Sequence, residues 1–196
     1  MSNRDFIIWS SDGQNENNFG CRIAENREIL QPVFFRRDVL EVAPDLLGKY
    51  IVRKYDDGHI ERFRITEVEA YKGEEDKACH ASKGRTKRTE VMYHEGGKIY
   101  VYLIYGMYWL LNFVTGNEND PQAVLIRGVE NISGPGKLGR KLQLSANFYG
   151  ESLPSEKMWI ETDSTKPPPY TVTPRIGVGY AEEWTDKPWR FVIITI

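Results

Sequence analysis

The stretch KIYVYLIYGMYWLLNFV, residues 98–114, holds two aromatic-rich apolar segments that meet at Tyr105-Gly106. Such segments on either side of a glycine-containing turn predict a β-hairpin. The chain reversal would direct the Tyr105 ring outward, where it either stacks on another molecule or packs beneath a loop. The remaining aromatic side chains of the hairpin either line a pocket or fill the core, namely Tyr100, Tyr102, Tyr108 and Trp109.

A second strand pattern lies upstream, in residues 60–71. Alternation along a strand places one set of side chains on a common face: Ile65, Glu67, Glu69 and Tyr71. The other face receives Thr66, Val68 and Ala70. Two carboxylates therefore project side by side. Apolar neighbours would raise the pKa of Glu69 and make it a usable general base, whereas an exposed strand would leave both glutamates solvated.

Further elements extend the pattern on both sides. Strands are expected at residues 49–55, at AVLIRGV (123–129) and in the tail at TPRIGVG (173–179) and PWRFVIITI (188–196). Asp56-Asp57-Gly58 predicts a hairpin turn between the first of these strands and residues 60–71. Helices are expected after residue 34 with an interruption at Pro44, near residues 74–80, and after the glycine loop of SGPGKLGRKLQLS (133–145). Hairpin-length links between strands predict a single α+β domain rich in antiparallel pairs, residues 31–196, after a loosely ordered arm of residues 1–30.

Composition excludes several protein classes. The 196 residues carry 26 Lys and Arg against 28 Asp and Glu, so an overall basic surface is absent. Two cysteines, Cys21 and Cys79, are too few for a disulfide scaffold or a thiolate metal site. The first residues lack a secretory signal pattern, and no apolar run reaches the ~18 residues of a membrane span. The sequence thus predicts a soluble intracellular protein without a bound metal.

Charged and polar side chains provide the candidate site. Arg127 follows the apolar run AVLI, where a buried arginine needs a carboxylate partner, Glu69 or another acid. His80 is either a hydrogen-bonded structural residue or a ligand-binding one. Clustered cations suit phosphate but also fit a solvated face. They lie in two places: Lys83, Arg85, Lys87 and Arg88, and Lys137, Arg140 and Lys141.

Several strings together resemble the alkyladenine (3-methyladenine, methylpurine) DNA glycosylase family: TEVEAYKGEEDKACHASKGRTKR, VYLIYGMYWLLN, AVLIRGVE, GPGKL and RIGVGYAEEWTDKPWRF. The resemblance runs from about residue 37 to the C-terminus. It implies a curved, mostly antiparallel sheet flanked by short helices, similar to the C-terminal domain of formyltransferases. It also implies a cofactor-free monomer that acts on duplex DNA, in the cytoplasm or nucleoid of a bacterium or in a eukaryotic nucleus.

The resemblance implies a reaction as well. Enzymes of this family flip a damaged purine out of the duplex and hydrolyse its N-glycosidic bond, which leaves an abasic site. The expected substrates are 3-methyladenine and 7-methylguanine, with hypoxanthine and ethenoadenine as further candidates. A cationic methylated purine leaves without a strong general acid, whereas a neutral lesion needs its leaving group protonated.

The same resemblance implies a role for each of several residues. Glu69 is the general base, and Arg127 and the Val178 carbonyl hold the attacking water. The base-binding positions are Tyr71, His80, Tyr102 and Asn112. Tyr105 is the wedge that enters the DNA, with Met107 beside it. Contacts with the DNA backbone are expected from Arg85, Lys87, Lys137 and Arg140.

The chain departs from the family pattern in two places, and two other functions stay open. Lys87-Arg88-Thr89 stands where relatives often have proline and asparagine in the basic loop, and Tyr180 stands in place of a histidine. A non-catalytic binder of damaged DNA would use the same surface without needing Glu69. A nucleoside or sugar hydrolase would use Glu67 and Glu69 as an acid/base pair, although side chains two apart on a strand point in parallel.

Overall fold

Antiparallel strands form the centre of the protein, in agreement with the hairpin patterns. The computed structural model describes residues 27–163 and 166–194. The strands are β1 (Glu28–Ile29), β2 (Tyr50–Lys54), β3 (Ile60–Lys72), β4 (Ile99–Ile104), β5 (Tyr108–Val114), β6 (Gln122–Val129), β7 (Ile132–Ser133), β8 (Met158–Thr162), β9 (Tyr170–Thr173) and β10 (Arg190–Ile193). The helices are α1 (Val39–Leu46) and α2 (Pro135–Lys141), accompanied by short 3-10 turns.

The strands make one sheet in the order β1-β8-β2-β3-β6-β5-β4, to which β10, β9 and β7 add. Both predicted hairpins are present: β2 pairs with β3 across the turn at Asp56-Asp57-Gly58, and β4 pairs with β5. The first half of β3 pairs with β2, and its second half pairs with β6 and β10. The single α+β domain with a mostly antiparallel sheet is therefore confirmed.

The alternation predicted for residues 60–71 is wrong at Ile65, because β3 contains a bulge. The pairing of β3 with β6 shifts register between Ile65 and Glu67 and again between Glu67 and Val68. An extra residue in one strand reverses the faces beyond it. As a result Ile65 packs in the same apolar cluster as Val68 and Ala70, and not beside the glutamates. Glu67 and Glu69 still share a face, because both contact Arg127.

Helix α1 covers the sheet and differs slightly from its prediction. The Asp38 side chain caps it by accepting a hydrogen bond from the Leu40 amide (2.9 Å), and Gly48 with φ +83° follows its end. Pro44 lies inside the helix and not at an interruption, since it sits in the last turn, two residues before Leu46. The buried side is apolar and consists of Val39, Val42, Ala43 and Leu46.

Helix α2 follows the glycine loop as predicted and buries Leu138 in the core, where Leu142 and Leu144, just after the helix, pack as well. It lies directly on β5. A Cβ atom at Gly139 would come within 1.9 Å of the Trp109 carbonyl oxygen, so only glycine permits this approach.

Two expected elements are loops instead. Residues 74–80 form turns, with a 3-10 helix only at His80–Lys83. The Asp76 carboxylate accepts the backbone amides of Lys72 (3.2 Å) and Ala78 (3.0 Å), which competes with helical hydrogen bonds. In TPRIGVG only Thr173 belongs to a strand, because Arg175 turns inward to Asp76 and Gly177 has φ +78°.

The expected N-terminal arm falls mainly on residues 1–26, which lie outside the described residues. Its last part, Glu28–Ile29, pairs with β8. Within the described ranges, no helix is long and apolar enough to cross a membrane.

Candidate active site

A cavity of about 360 Å³ opens between the β4–β5 hairpin, β6 and the loops around residues 80 and 177. This volume suits a small ligand. It collects residues that the sequence placed in the site from separate segments of the chain. Those that line it are Tyr71, His80, Tyr102, Tyr105, Asn112, Arg127 and Val178.

The carboxylate of Glu69 lies directly behind the cavity wall and is completely buried. One oxygen, Oε1, accepts the Ile176 amide at 2.7 Å, and the other, Oε2, accepts the Tyr71 hydroxyl at 2.7 Å. Burial raises the pKa of Glu69, while Arg127, the Ile176 amide and Tyr71 act in the opposite direction. A carboxylate with these surroundings can serve as a base, since a carboxylate oxygen has two lone pairs and Oε2 keeps one for water.

Arg127 joins both glutamates of β3. Its Nε lies 3.0 Å from Oε1 of Glu67 and 3.4 Å from Oε1 of Glu69. Glu69 was the expected partner, yet Glu67 is the nearer one. Glu67 also accepts Arg190 Nε at 2.7 Å, so two guanidinium groups bind one carboxylate. Sequence reasoning missed this role of Glu67, and the only available signal was its spacing from Glu69.

A buried ion pair behind Tyr71 was also missed. Arg175 and Asp76 have fully buried side chains, and Arg175 donates to both carboxylate oxygens at 2.5 and 2.8 Å. The guanidinium carbon lies 4.8 Å from the centre of the Tyr71 ring, within cation–π distance. The pair therefore holds the Tyr71 ring from behind. The sequence feature that could have indicated this pair is an arginine, Arg175, within the apolar, glycine-containing string TPRIGVG.

Aromatic rings form the opposite wall. The His80 and Tyr102 rings are 4.5 Å apart between centroids at 76°, and His80 Nδ1 lies 2.7 Å from the Tyr100 hydroxyl. Burial, with a contribution from Arg88, lowers the pKa of His80 to about 4. His80 is therefore neutral at pH 7 and does not repel a cation in the cavity.

Two further predicted residues line the cavity with their polar groups engaged. The Asn112 side chain donates to the Tyr100 carbonyl at 3.1 Å. The Val178 carbonyl accepts the Ala181 amide (2.9 Å) and the Thr185 hydroxyl (3.2 Å), which occupies both of its lone pairs within the loop.

The hairpin tip is the most exposed aromatic feature next to the cavity. Tyr105 is 82% exposed and Met107 is 57% exposed. Tyr105 and Gly106 have φ values of +53° and +67° in a turn that closes with the Met107 amide on the Ile104 carbonyl at 3.1 Å. The positive φ at a tyrosine is unfavourable, and the turn therefore holds an apolar ring in solvent at a cost.

The candidate DNA-backbone cations lie outside this cavity. Lys137 borders a neighbouring apolar groove beside Tyr105, and the Arg140 guanidinium covers the Tyr108 ring at 4.6 Å. Lys87 is exposed. Arg85 is paired with Glu90 through 2.6 and 2.9 Å hydrogen bonds, so it is not a free cation. The described residues contain no cluster of three or more His, Cys, Asp and Glu side chains that could hold a metal.

Comparison with known proteins connects this geometry to one family. The family described as methylpurine-DNA glycosylase (MPG) matches residues 33–133 and 130–195. Several relatives carry the name "Putative 3-methyladenine DNA glycosylase". The chain is 45% identical to the one from Legionella pneumophila (strain Paris) over 177 residues, which cover 85% of this chain and 94% of the relative.

Two more relatives have the same printed name. The chain is 46% identical to one from Sodalis glossinidius over 170 residues, which is 83% of this chain and 95% of the relative. It is 44% identical to one from Methanocella arvoryzae over 184 residues, which is 83% of this chain and 91% of the relative. Matches of this extent and identity show that the chain belongs to the methylpurine-DNA glycosylase family and is a DNA glycosylase.

Proposed function

We propose that the cavity receives a damaged purine nucleotide flipped out of duplex DNA, and that a water activated by Glu69 hydrolyses its N-glycosidic bond. The observation that carries the proposal is the buried Glu69 carboxylate at the wall of an aromatic cavity. Its pKa is raised, and Arg127 lies 3.4 Å from it. A base with a raised pKa accepts a proton from water more readily than a solvated carboxylate does.

In this proposal Glu69 and Arg127 orient the water. The water oxygen bonds to C1′ of the sugar, its proton passes to Glu69, and the purine leaves with the electrons of the C1′–N bond. Val178 forms the wall on the same side. Its carbonyl, the third water-binding group implied by the resemblance, would first have to release the Ala181 amide or the Thr185 hydroxyl.

The proposed substrates are alkylated purines, 3-methyladenine and 7-methylguanine, with the neutral lesions hypoxanthine and ethenoadenine as further candidates. Tyr71, neutral His80 and Tyr102 provide faces and edges of electron-rich rings that favour a cationic base. Asn112 lies at the edge of the bound base in this arrangement.

The surface beside the cavity is the proposed DNA interface. Tyr105 enters the gap left by the flipped nucleotide, and Met107 contacts the neighbouring step. Stacking of an aromatic ring offsets part of the few kcal/mol that unstacking a nucleotide costs. Phosphate contacts are proposed for Arg85, Lys87, Lys137 and Arg140, and Arg85 must exchange its ion pair with Glu90 to make one.

The two other candidate functions are less well supported. In a nucleoside or sugar hydrolase Glu67 would have to serve as the acid of the pair. However, the Oε1 oxygen of Glu67 accepts hydrogen bonds from both Arg127 and Arg190, so its carboxylate is engaged by two guanidinium groups. A non-catalytic binder of damaged DNA would have no use for a buried carboxylate at the cavity wall.

The test uses duplex oligonucleotides with a single 7-methylguanine, ethenoadenine or hypoxanthine. Wild-type protein and Glu69→Gln are incubated with each duplex, and abasic sites are detected by mild alkaline cleavage. We expect cleavage by the wild type, a loss of at least about 100-fold in Glu69→Gln, and equal binding of the lesion duplex by both. Tight lesion binding without abasic sites from either protein would support the binder instead.

A further inference from the structure

The cavity contains a cation to which the proposed function assigns no role. Arg88 lines the cavity, with its guanidinium carbon 5.1 Å from the centre of the Tyr102 ring. One of its terminal nitrogens lies 3.5 Å from Nε2 of His80. Both contacts are to residues proposed to hold the flipped base, so the Arg88 charge lies beside the bound purine.

The charge of Arg88 differs from that of Arg127 in being unpaired. Arg127 is matched by Glu67 and Glu69. Around Arg88, no carboxylate oxygen of residues 27–163 or 166–194 lies within the 4.0 Å that defines an ion pair. Its neighbours at this wall are the neutral His80 and the ring and hydroxyl groups of tyrosines. Its field at the bound purine is therefore not cancelled by a neighbouring anion.

Resting on the proposed function, we infer that Arg88 is a catalytic residue that stabilises the leaving purine electrostatically. When the C1′–N bond breaks, both bonding electrons go to the base, while the water oxygen bonds to C1′ and its proton moves to Glu69. A cationic methylated purine then leaves neutral, and a neutral lesion leaves as an anion that takes a proton from solvent. In both cases the base gains one negative charge, and a fixed cation beside it favours that change.

The position of Arg88 therefore affects the transition state more than the ground state. A positive charge repels a cationic base in the ground state and attracts the electrons that reach it during bond breaking. Once DNA covers the cavity, water no longer screens this interaction and it becomes stronger.

The test compares wild type, Arg88→Gln and Arg88→Lys in single-turnover excision at saturating protein, with 7-methylguanine and hypoxanthine duplexes. We expect Arg88→Gln to slow excision of both bases by on the order of 10-fold. Arg88→Lys keeps the charge and should recover most of the rate. Lesion-duplex Kd, measured in parallel on the Glu69→Gln background, should change by less than about threefold.

Two results would overturn the inference. If Arg88→Gln weakens binding but leaves the saturated rate unchanged, Arg88 only grips a DNA phosphate. If Arg88→Gln excises 7-methylguanine faster, Arg88 only obstructs a cationic base. Failure of the proposed function looks different, because the wild type itself would then release no base from either duplex.

Discussion

At the scale of single residues, three groups offset the burial of the Glu69 carboxylate. The Tyr71 hydroxyl, the Ile176 amide and Arg127 each favour its ionised form, whereas desolvation disfavours it and is the largest effect. The pKa of Glu69 is therefore raised, and it depends on contacts that can be removed one at a time.

Replacement of Tyr71 by Phe tests this dependence. The ring remains, but the 2.7 Å hydrogen bond to Oε2 is lost, so the pKa of Glu69 should rise further. In the proposed reaction the base works deprotonated, so excision should fall as pH drops through this pKa. The acidic limb of the single-turnover rate should therefore move to higher pH, by roughly one pH unit, in a profile from about pH 5 to about pH 9.

His80 should not affect this profile, because its pKa of about 4 keeps it neutral over that range. An acidic limb at the same pH in wild type and Tyr71→Phe would mean that the titrating base is not the carboxylate in contact with Tyr71.

At the scale of elements, two loops and a hairpin build the site. The loop after β3 and the loop after β9 are tied together by the Asp76–Arg175 pair. Arg175 also donates to the carbonyls of Ala70 (3.0 Å) and Trp184 (3.2 Å). These contacts place Tyr71, the Ile176 amide and Val178 around one wall of the cavity.

Replacing Arg175 by Met leaves the Asp76 carboxylate buried without its partner. We expect the free energy of unfolding, measured in urea, to fall by about 3–5 kcal/mol. The matched control is Arg36→Met at the exposed pair with Glu95, where the cost should stay below about 1 kcal/mol. Equal costs in the two variants would contradict a special role for the buried pair.

Replacement of Tyr105 at the hairpin tip should lower activity and leave stability nearly unchanged. Tyr105→Gly relieves the positive φ of 53° but adds backbone freedom to the unfolded chain, so stability should change by less than about 1 kcal/mol. Excision should fall at least about 10-fold, because the proposed wedge would no longer fill the gap in the DNA. Tyr105→Trp is the control that keeps a ring at the tip. Full activity of Tyr105→Gly in single-turnover excision would rule out a wedge.

At the scale of the whole molecule, charge is uneven. The net charge is −2, yet Lys87, Lys137 and Arg140 are exposed on the loops and helix near the cavity and the hairpin tip. Local cations can bind phosphates on a protein whose total charge is near zero. The reason is that salt largely screens charges that lie more than about 8–10 Å away.

Lys137→Ala should weaken binding to damaged and undamaged duplexes alike. It should also reduce the slope of log Kd against log salt concentration by about 0.9, the amount expected for one phosphate contact. Lys54→Ala removes an exposed charge at the end of β2, away from both the cavity and the neighbouring groove, and should leave the slope unchanged. Binding by Lys137→Ala with the wild-type slope would exclude a phosphate contact at this residue.

Most of the strands could be predicted from sequence because their signals are local. The apolar segments of β4 and β5, the turn at Asp56-Asp57-Gly58 and the glycine after α1 each indicate an element within a few residues. Predictions failed where a distant group decided the conformation. Residues 74–80 form turns because Asp76 bonds to nearby amides and to Arg175, which is 99 residues away.

The sequence by itself determined the antiparallel α+β domain, the exposed Tyr105 tip and the resemblance that pointed to Glu69 and the cavity residues. Only the tertiary structure decided that Glu67 shares Arg127 with Glu69 and that the β3 bulge turns Ile65 into the core. It also placed Arg88 over the Tyr102 ring. The reason is physical: periodicity and turn chemistry act over a few residues, whereas ion pairs, burial and register depend on segments that meet only in the folded chain.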